Sequence, residues 1–383
     1  MLDNFYIDYA YYQENILPRQ NKIDGHEVLI IASTLVFGEG NTFKFIEPRE
    51  YLNEDDIKVI RVPYKKVFNN WISNKLRTYK NVYSSLDKFK PDIIFHHGIS
   101  PGYESKTIAK YLRNNSSTRL YMDCHADSID TATNYLSKNV LHRFFYRRSL
   151  NKLVKFACKV YYIAPESKLF LNDLYKYNDN EKLEYLPLGG YIRHADQRIL
   201  IRDRIRKRIK ISEDDIVFIH TGKFDAKKRS YELISAFNRI ESKKIKLLII
   251  GKFNEESYEK VKDLINQDER IMFLGWKNGA ELQEYLCASD VYVQPGSMTV
   301  TVQNAVCNSC AVIVFSVLVY KDLFEGAALY ADTEDEIYSQ LKRLVDCPDL
   351  IVEHQDKLLK IAKEKLDYKV IANRYIEHYL SIQ

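Results

Sequence analysis

Three short stretches gather residue types that can bind and polarise a hydroxyl-rich or anionic ligand. The first is Asp123-Cys-His-Ala-Asp127, just after an apolar run of strand length. His125 there can hydrogen-bond a sugar hydroxyl or shape the electrostatics at a reacting carbon, and Asp123 and Asp127 can contact sugar hydroxyls or an acceptor. The competing reading is loop capping, with Asp127 or Ser128 starting the next helix. His96-His97-Gly98 ends a neighbouring strand and either lines the same cleft or packs as a histidine pair. The second stretch is Thr221–Arg229, between an apolar strand and a helix, with Gly222, Lys223 and Lys228. Two lysines at that spacing suit cations converging on a diphosphate, where they offset charge as the bond to its oxygen breaks. The alternative is solvated surface lysines. The third is Asp290–Phe315: strand Val291–Val293, turn Pro295-Gly-Ser297, helix Thr299–Asn308, strand Ala311–Phe315. A helix starting beyond a strand's carboxyl end aims unpaired N–H groups at whatever sits there, which suits a diphosphate held by Gly296, Ser297, Met298 and Thr299. An ordinary β–α–β crossover is the alternative.

The elements that must position these residues alternate along the chain. In the amino-terminal half a helix at Tyr6–Ile23 precedes strands at Glu27–Ala32, Ile57–Val62, Ile93–His96, Leu120–Asp123 and Val160–Ile163. Between them lie a long basic and aromatic helix at Val67–Phe89 and helices at Ser105–Leu112 and Asn139–Phe156. The domain opens on a helix, so its first strand is either very short (Met1–Asp3) or the chain begins later than its relatives do. Leu186–Gly190 reads as a hinge, and Arg198–Lys210 as a strongly basic helix, either a solvated face or a contact for acidic surfaces. Alternation restarts with strands at Ile216–His220, Lys246–Ile250, Ile271–Leu274, Val291–Val293, Val312–Phe315 and Ala327–Tyr330, the last followed by a helix cap at Asp332-Thr333. Helices fall at Ser230–Ile240, Glu256–Gln267, Ala280–Cys287 and Leu350–Ile382. This is an α/β chain with parallel sheets covered on both faces and ligands at the strands' carboxyl ends. The expected domains are 1–189, 190–365, and a final helix at 366–383 packing back across the hinge.

Composition narrows the function. A chain of 383 residues can bury two cores, and a net charge of +5 is too small to imply a nucleic-acid partner. No run reaches the roughly 18 apolar residues of a spanning helix, and the opening residues do not read as a secretory signal. Six scattered cysteines fit a reduced, cytoplasmic protein, with Cys307 and Cys310 as core packing rather than a zinc or redox pair. Gly38-Glu-Gly40 lacks the third glycine of a dinucleotide fingerprint.

Over nearly its whole length the chain resembles the GT-B glycosyltransferases, specifically glycosyltransferase family 4, the group 1 transferases. Asp24-Gly-His-Glu-Val28 is similar to the family's G-H-E-V, and Gly222-Lys-Phe-(x)3-Lys228 to its G-R-L-(x)3-K, with lysine for arginine at 223. Gln294-Pro-Gly-Ser297 and Asn304-Ala-Val-Cys-Asn-Ser-Cys-Ala-Val312 resemble its P-S loop and E-A-M-A-C-G-x-P-V. The resemblance implies two Rossmann-like domains facing a central cleft, with a nucleotide diphosphate sugar held mainly by the second. It also implies retaining hexosyl transfer with no cofactor and no metal. His125 falls where these enzymes carry an active-site histidine near the donor sugar, so His125, Lys223 and Lys228 are the expected catalytic groups. One departure is clear: the family's E-x7-E pair is absent. Asn304, or else Gln303, stands for the glutamate that holds the ribose, with Ser297, Thr299 and Thr301 as polar substitutes. Asn304 can both donate to and accept from ribose hydroxyls.

The implied activity is transfer to a hydroxyl of a cell-surface glycan intermediate, lipid-linked or free, of capsule or lipopolysaccharide type. The implied location is the cytoplasm, with the basic–aromatic runs Lys65–Lys80 and His142–Lys155 as contacts for the inner face of the cell membrane. A nucleotide-sugar 2-epimerase and a non-catalytic subunit that stabilises a partner transferase are the competing readings.

Overall fold

Apolar periodicity in the amino-terminal half is realised as two small sheets and a hairpin. The computed structural model describes residues 5–10, 12–38, 42–128 and 131–383. The chain forms two units, Met1–Pro187 with Ile371–Gln383, and Leu188–Val370. In the first unit, β1 (Leu29–Ser33), β2 (Leu35–Phe37), β3 (Phe43–Phe45), β4 (Glu50–Leu52) and β5 (Lys58–Val62) precede β6 (Ile93–His96), β7 (Arg119–Cys124), β8 (Ala157–Tyr162) and β9 (Leu183–Tyr185). One sheet has the order β1-β5-β4 and the other β6-β7-β8-β9. The second sheet is parallel throughout, as is the β1–β5 pair, while β4 runs antiparallel to β5. Ile31, Ile60 and Ile94 pack with Val62, Val82, Leu86 and Tyr111, so the two sheets share a core.

The β2–β3 hairpin is antiparallel and was not expected from the sequence. Its rings explain it, because Phe37 stacks on Phe43 at 4.7 Å and both meet Phe5. Two expected helices are shorter. The first begins at Gln13, because Tyr6 is drawn into the core beside Val59 and its carbonyl accepts from Arg61 Nη1 at 2.9 Å. The long helix of Val67–Phe89 is two, Asn70–Leu76 and Val82–Phe89, separated where Arg77 and Asn81 adopt left-handed backbone. Met1–Asp3 and most of Gly38–Gly40 lie outside the described residues.

The second unit holds a six-stranded parallel sheet of β10 (Ile216–Phe224), β11 (Ile245–Phe253), β12 (Ile271–Phe273), β13 (Val291–Gln294), β14 (Ala311–Val314) and β15 (Leu329–Tyr330), in the order β12-β11-β10-β13-β14-β15. β13 and β14 are buried at every position, which is why they read as unbroken apolar runs rather than alternating ones. β10 and β11 outrun their expected ends. Gly222 pairs with Gly251, and Phe224 with Phe253, whose rings lie 4.4 Å apart. Glycine and lysine at 222, 223, 251 and 252 look like loop, but a side chain on Gly251 would reach to 1.8 Å from the Gly222 carbonyl, so the close pairing needs glycine. The helix after β15 starts where expected, with Thr333 and Glu336 in a capping box.

The helix expected at Arg198–Lys210 spans Ala195–Arg208, and it is not simply a solvated face. Arg206 is buried, pairs with Asp290 at 2.8 Å, and donates to the carbonyls of Ala288, Ser212, Glu213 and Asp215. At the chain's end, helix Tyr368–Ser381 carries residues 371–381 into the first unit. There the Tyr375 hydroxyl accepts from Asn21, and the Tyr121 hydroxyl pairs with His378 Nδ1 at 2.8 Å. No helix among the described residues is long and apolar enough to cross a membrane.

Candidate functional site

In the first unit the chemistry gathers at the carboxyl ends of β6 and β7. β7 is apolar and buried up to Asp123, whose carboxylate has no exposed surface. A charge so placed must be met by donors. Asp123 Oδ1 accepts from the Gly98 N–H at 2.6 Å, while Oδ2 faces His97 Nδ1 at 2.9 Å and His125 Nε2 at 3.0 Å. The two imidazole rings lie 4.4 Å apart at 59°. Glu14, in the first turn of helix Gln13–Ile23, reaches 3.8 Å from His97 Nε2.

The electrostatics follow from this packing. Burial works against charge on His97, but the Asp123 carboxylate, its hydrogen bond and Glu14 push its pKa up to about 9. Burial would raise the Asp123 carboxyl, yet the two histidines hold it well below the usual carboxylate range. His97 Nδ1, Asp123 Oδ2 and His125 Nε2 lie within 4.8 Å of one another, a spacing that would admit a divalent cation. An ionised carboxylate only accepts, so each nitrogen faces it as a hydrogen-bond donor.

The expected roles shift accordingly. Asp123 was a candidate for touching sugar hydroxyls; in the fold it has no exposed surface, and its oxygens face the Gly98 N–H and the two histidines. His125 lies at the surface of the cluster with 20% of its side chain exposed. Asp127 is half-buried in the following loop, and the next helix is capped by neither Asp127 nor Ser128. Asn134 takes that role, its Oδ1 accepting from the Ser137 N–H at 2.9 Å. Glu14 was missed because it reads as an ordinary first-turn acid.

In the second unit the lysine stretch and the Pro-Gly-Ser turn meet. β10 carries Lys223, exposed, to its end, where Lys223 pairs in register with Lys252. A 3₁₀ turn at Ala226–Lys228 follows, capped by Asp225. A side chain on Gly222 would come to 3.2 Å from Lys228 Cε, so the bare glycine makes room for the Lys228 chain. A side chain on Gly296 would stand 2.0 Å from the Lys227 carbonyl, and the Ser297 N–H donates to that carbonyl at 3.0 Å. Glycine at 296 therefore lets the two backbones touch. Burial lowers the Lys228 pKa, partly opposed by Asp225, and the half-buried ammonium has no hydrogen-bond partner among the described residues. An uncompensated cation there is a ready anion contact.

The expected row of free amides is thinner than Gly296 to Thr299 suggested. The Ser297 N–H is taken by Lys227, and the Thr299 N–H donates to the Tyr320 hydroxyl at 3.2 Å. Gly296 and Met298 N–H remain without partners among the described residues. Thr299 Oγ1 turns to Thr301, accepting its N–H at 3.4 Å at the start of helix Thr301–Cys307.

Gln303 and Asn304 are both engaged inside the unit. Gln303 Oε1 accepts from the Gly189 N–H at 2.6 Å, which turns it toward the start of the unit and not toward a ligand. Asn304 Oδ1 accepts from Gln283 Nε2 at 2.9 Å. Gln283 Oε1 accepts from Asn308 Nδ2, and Asn308 Oδ1 from Arg193 Nη1 at 2.7 Å. This chain of amides was not legible, because its members are spread over more than a hundred positions. Cys307 and Cys310 are buried and free, with Sγ groups on the Leu366 and Leu286 carbonyls.

Residues 201–365 match the family model described as "Glycosyl transferases group 1". No curated protein sequence matches the chain. Among solved structures, the chain is similar to a glycosyltransferase from Rickettsia africae ESF-5, with 12% identity, a TM-score of 0.68, and coverage of 97% of this chain and 94% of that one. It is also similar to HepE of Anabaena in complex with UDP-glucose, with 14% identity, a TM-score of 0.62, and coverage of 99% and 98%. A third is WaaG, a glycosyltransferase involved in lipopolysaccharide biosynthesis, with 14% identity, a TM-score of 0.61, and coverage of 97% of each chain.

Proposed function

From a carboxyl-terminal unit whose residues 201–365 match the group 1 glycosyltransferase model, in a chain with the GT-B fold, we propose a retaining hexosyltransferase of family 4 that uses a nucleotide diphosphate sugar. The observation that carries this reading is the half-buried ammonium of Lys228, without a partner among the described residues, lying over Gly222 on a residue whose backbone touches Gly296. It is suited to a diphosphate, with Lys223 and the Gly296 and Met298 N–H groups completing the anion contacts. In the reaction the bond from the sugar's anomeric carbon to the diphosphate oxygen breaks. A bond to the acceptor oxygen forms on the same face, and the acceptor's proton passes to the departing phosphate. Lys228 and Lys223 stabilise the leaving charge without a metal ion, and His125 helps position the donor sugar. HepE's complex with UDP-glucose supports a UDP-hexose as the first donor to try.

The test is thermal shift and titration with UDP, GDP, CDP and their common sugar conjugates, for the native protein and Lys228→Ala. One nucleotide should stabilise the protein, with binding weakened about tenfold to a hundredfold in the variant, the range for one charge-assisted contact. No binding by any nucleotide would sink the donor site and favour the non-catalytic reading, which the inward turn of Gln303 and Asn304 suits.

The acceptor we assign is a growing cell-surface glycan met at the inner face of the membrane, a reading supported by WaaG's role in lipopolysaccharide biosynthesis. The first unit offers a fitting surface. Leu136, Val140 and Phe144 form an exposed stripe on the π-helical segment Leu136–Tyr146, with Lys138, Arg143 and Arg148 exposed around it. Phe68, Trp71 and Ile72 are exposed on the neighbouring segment, which Tyr146 joins through the Lys75 carbonyl. Apolar side chains ringed by lysine and arginine match an anionic bilayer. Each basic residue near such a surface contributes about 1 kcal/mol, so charge reversal at Arg143, Arg147 and Arg148 should weaken binding to anionic liposomes more than tenfold. Unchanged binding would remove the membrane from this reading.

A further inference from the structure

The Asp123 cluster fixes more than the place of His125. Asp123 Oδ1 is committed to the Gly98 N–H, which can only donate, so the carboxylate cannot rotate without breaking a 2.6 Å bond. Oδ2 is thereby aimed at His97 Nδ1 and His125 Nε2 together. An ionised carboxylate only accepts, so each of these nitrogens must carry its proton. A neutral imidazole has one ring proton. With that proton on Nε2, His125 holds a bare lone pair on Nδ1, which has no partner among the described residues. His125 is partly exposed, so that lone pair is available to a ligand.

We propose that Asp123 and His97 are positioning residues that hold His125 in the Nε2–H form and present its Nδ1 as an acceptor for a hydroxyl hydrogen of the bound sugar. This rests on the reading of His125 as a sugar-side residue. His97 braces the carboxylate from its other side, donating from Nδ1 while its Nε2 looks toward Glu14. The groups that bear on the pair are Asp123 from β7, Glu14 from the first helix, and His96, whose Nδ1 donates to the Gly98 carbonyl at 2.7 Å. His97 stays charged well above neutral pH and keeps Asp123 ionised, which is the condition for Nε2–H on His125. The selectivity that follows is for a sugar bearing a free hydroxyl at the Nδ1 position. A deoxy or O-methylated analogue at that carbon offers no hydrogen to accept.

The decisive substitution is Asp123→Asn. The Gly98 N–H still demands an oxygen, so the new amide must turn its Nδ2 toward the histidines. That group donates, so His125 Nε2 becomes an acceptor and its proton moves to Nδ1. Nitrogen NMR of histidine-labelled full-length protein reads this directly. The native His125 should show protonated Nε2 and the variant protonated Nδ1, with His97 also giving up its Nδ1 proton because the same amide group faces it. Titrations then separate this inference from the donor reading. A nucleoside diphosphate alone should bind native and variant equally. The extra affinity conferred by the sugar should fall about tenfold or more in Asp123→Asn, as expected when an acceptor becomes a donor facing a hydroxyl. His97→Ala should reproduce part of the loss, and His97→Asn, which can donate from nearly the same point, should restore it.

A native His125 with its proton on Nδ1, or an unmoved tautomer in Asp123→Asn, overturns the proposal whatever the activity. A shifted tautomer with unchanged sugar affinity also overturns it, because the lone pair then meets no hydroxyl. Failure of every nucleoside diphosphate to bind is a failure of the donor reading, and the NMR result still decides what Asp123 does.

Discussion

A carboxylate without exposed surface persists only where its charge is met, and Asp123 meets this condition with one amide and two imidazoles. The consequence is a pH dependence whose sign is set. His97 has its pKa raised from an ordinary 6.5 to about 9, so its contribution to stability is whole below about 6.5 and is lost as pH rises through about 9. Asp123 is depressed from an ordinary 3.8, so its contribution is present above that value and lost on acidification through its folded-state pKa. Raising the pH from about 7 to about 9.5 should therefore lower the native protein's unfolding midpoint relative to that of His97→Asn, which has no proton to lose. With 41% of the His97 side chain exposed, solvent damps the size of the effect but not its direction. Parallel midpoint curves for the two proteins over that range would show that the pair does not stabilise the fold.

Helix Ala195–Arg208 shows how an element's composition can mislead about its surroundings. Its run of basic residues, read alone, describes a solvated face, because nothing nearby in sequence names a partner for Arg206. The partner is Asp290, 84 positions on, at the mouth of β13. Asp290 also accepts from the Val217 N–H at 2.7 Å and from Arg202, so one carboxylate ties the helix to two strands. Removing Arg206 strips Asp290 of its buried cation, leaving only Arg202 and the Val217 N–H, and leaves four carbonyls without their donor, so Arg206→Met should destabilise the second unit by about 3–5 kcal/mol. Arg204→Met, which removes an exposed pair with Glu284, should change stability by about 1 kcal/mol or less. Urea denaturation of both variants checks the contrast, and equal losses would contradict it. The strands were more legible than the helix, since a parallel strand buried on both faces announces itself by composition. Even there β10 and β11 ran on to Phe224 and Phe253, because glycine reads as a break when a close strand neighbour is out of view. Lys228 was legible by its place in a motif, whereas the Asn304–Gln283–Asn308–Arg193 chain depends on contacts that no local pattern encodes.

Across the whole molecule, the alternation of strands and helices was enough to read two parallel-sheet units, but not which residues at the chain's end complete the first one. An amphipathic helix shows that it has a buried face, not which sheet covers that face. The contacts of residues 371–381 identify it. Tyr375 lies 4.9 Å from Phe95 on β6 and accepts from Asn21, His378 meets the Tyr121 hydroxyl, and Arg374 bonds Glu184 at 3.1 Å. These groups lie against Phe95, Tyr121 and Tyr161, three stacked rings from three adjacent parallel strands. Ending the chain after Val370 would uncover that stack and leave the Tyr121 hydroxyl without its partner. The loss combines buried aromatic area with a buried hydrogen bond, which together amount to about 3–5 kcal/mol. The second unit, Leu188–Val370, retains its own sheet and core. Hydrogen exchange on the shortened chain should thus show lost protection in β6, β7 and β8 and unchanged protection in β10, β11, β13 and β14. Thermal shift by a nucleoside diphosphate should survive in that chain even as the first unit loosens. If protection fell equally in both units, the terminal helix would be serving the molecule as a whole, and the division of its contacts would not reflect the division of stability.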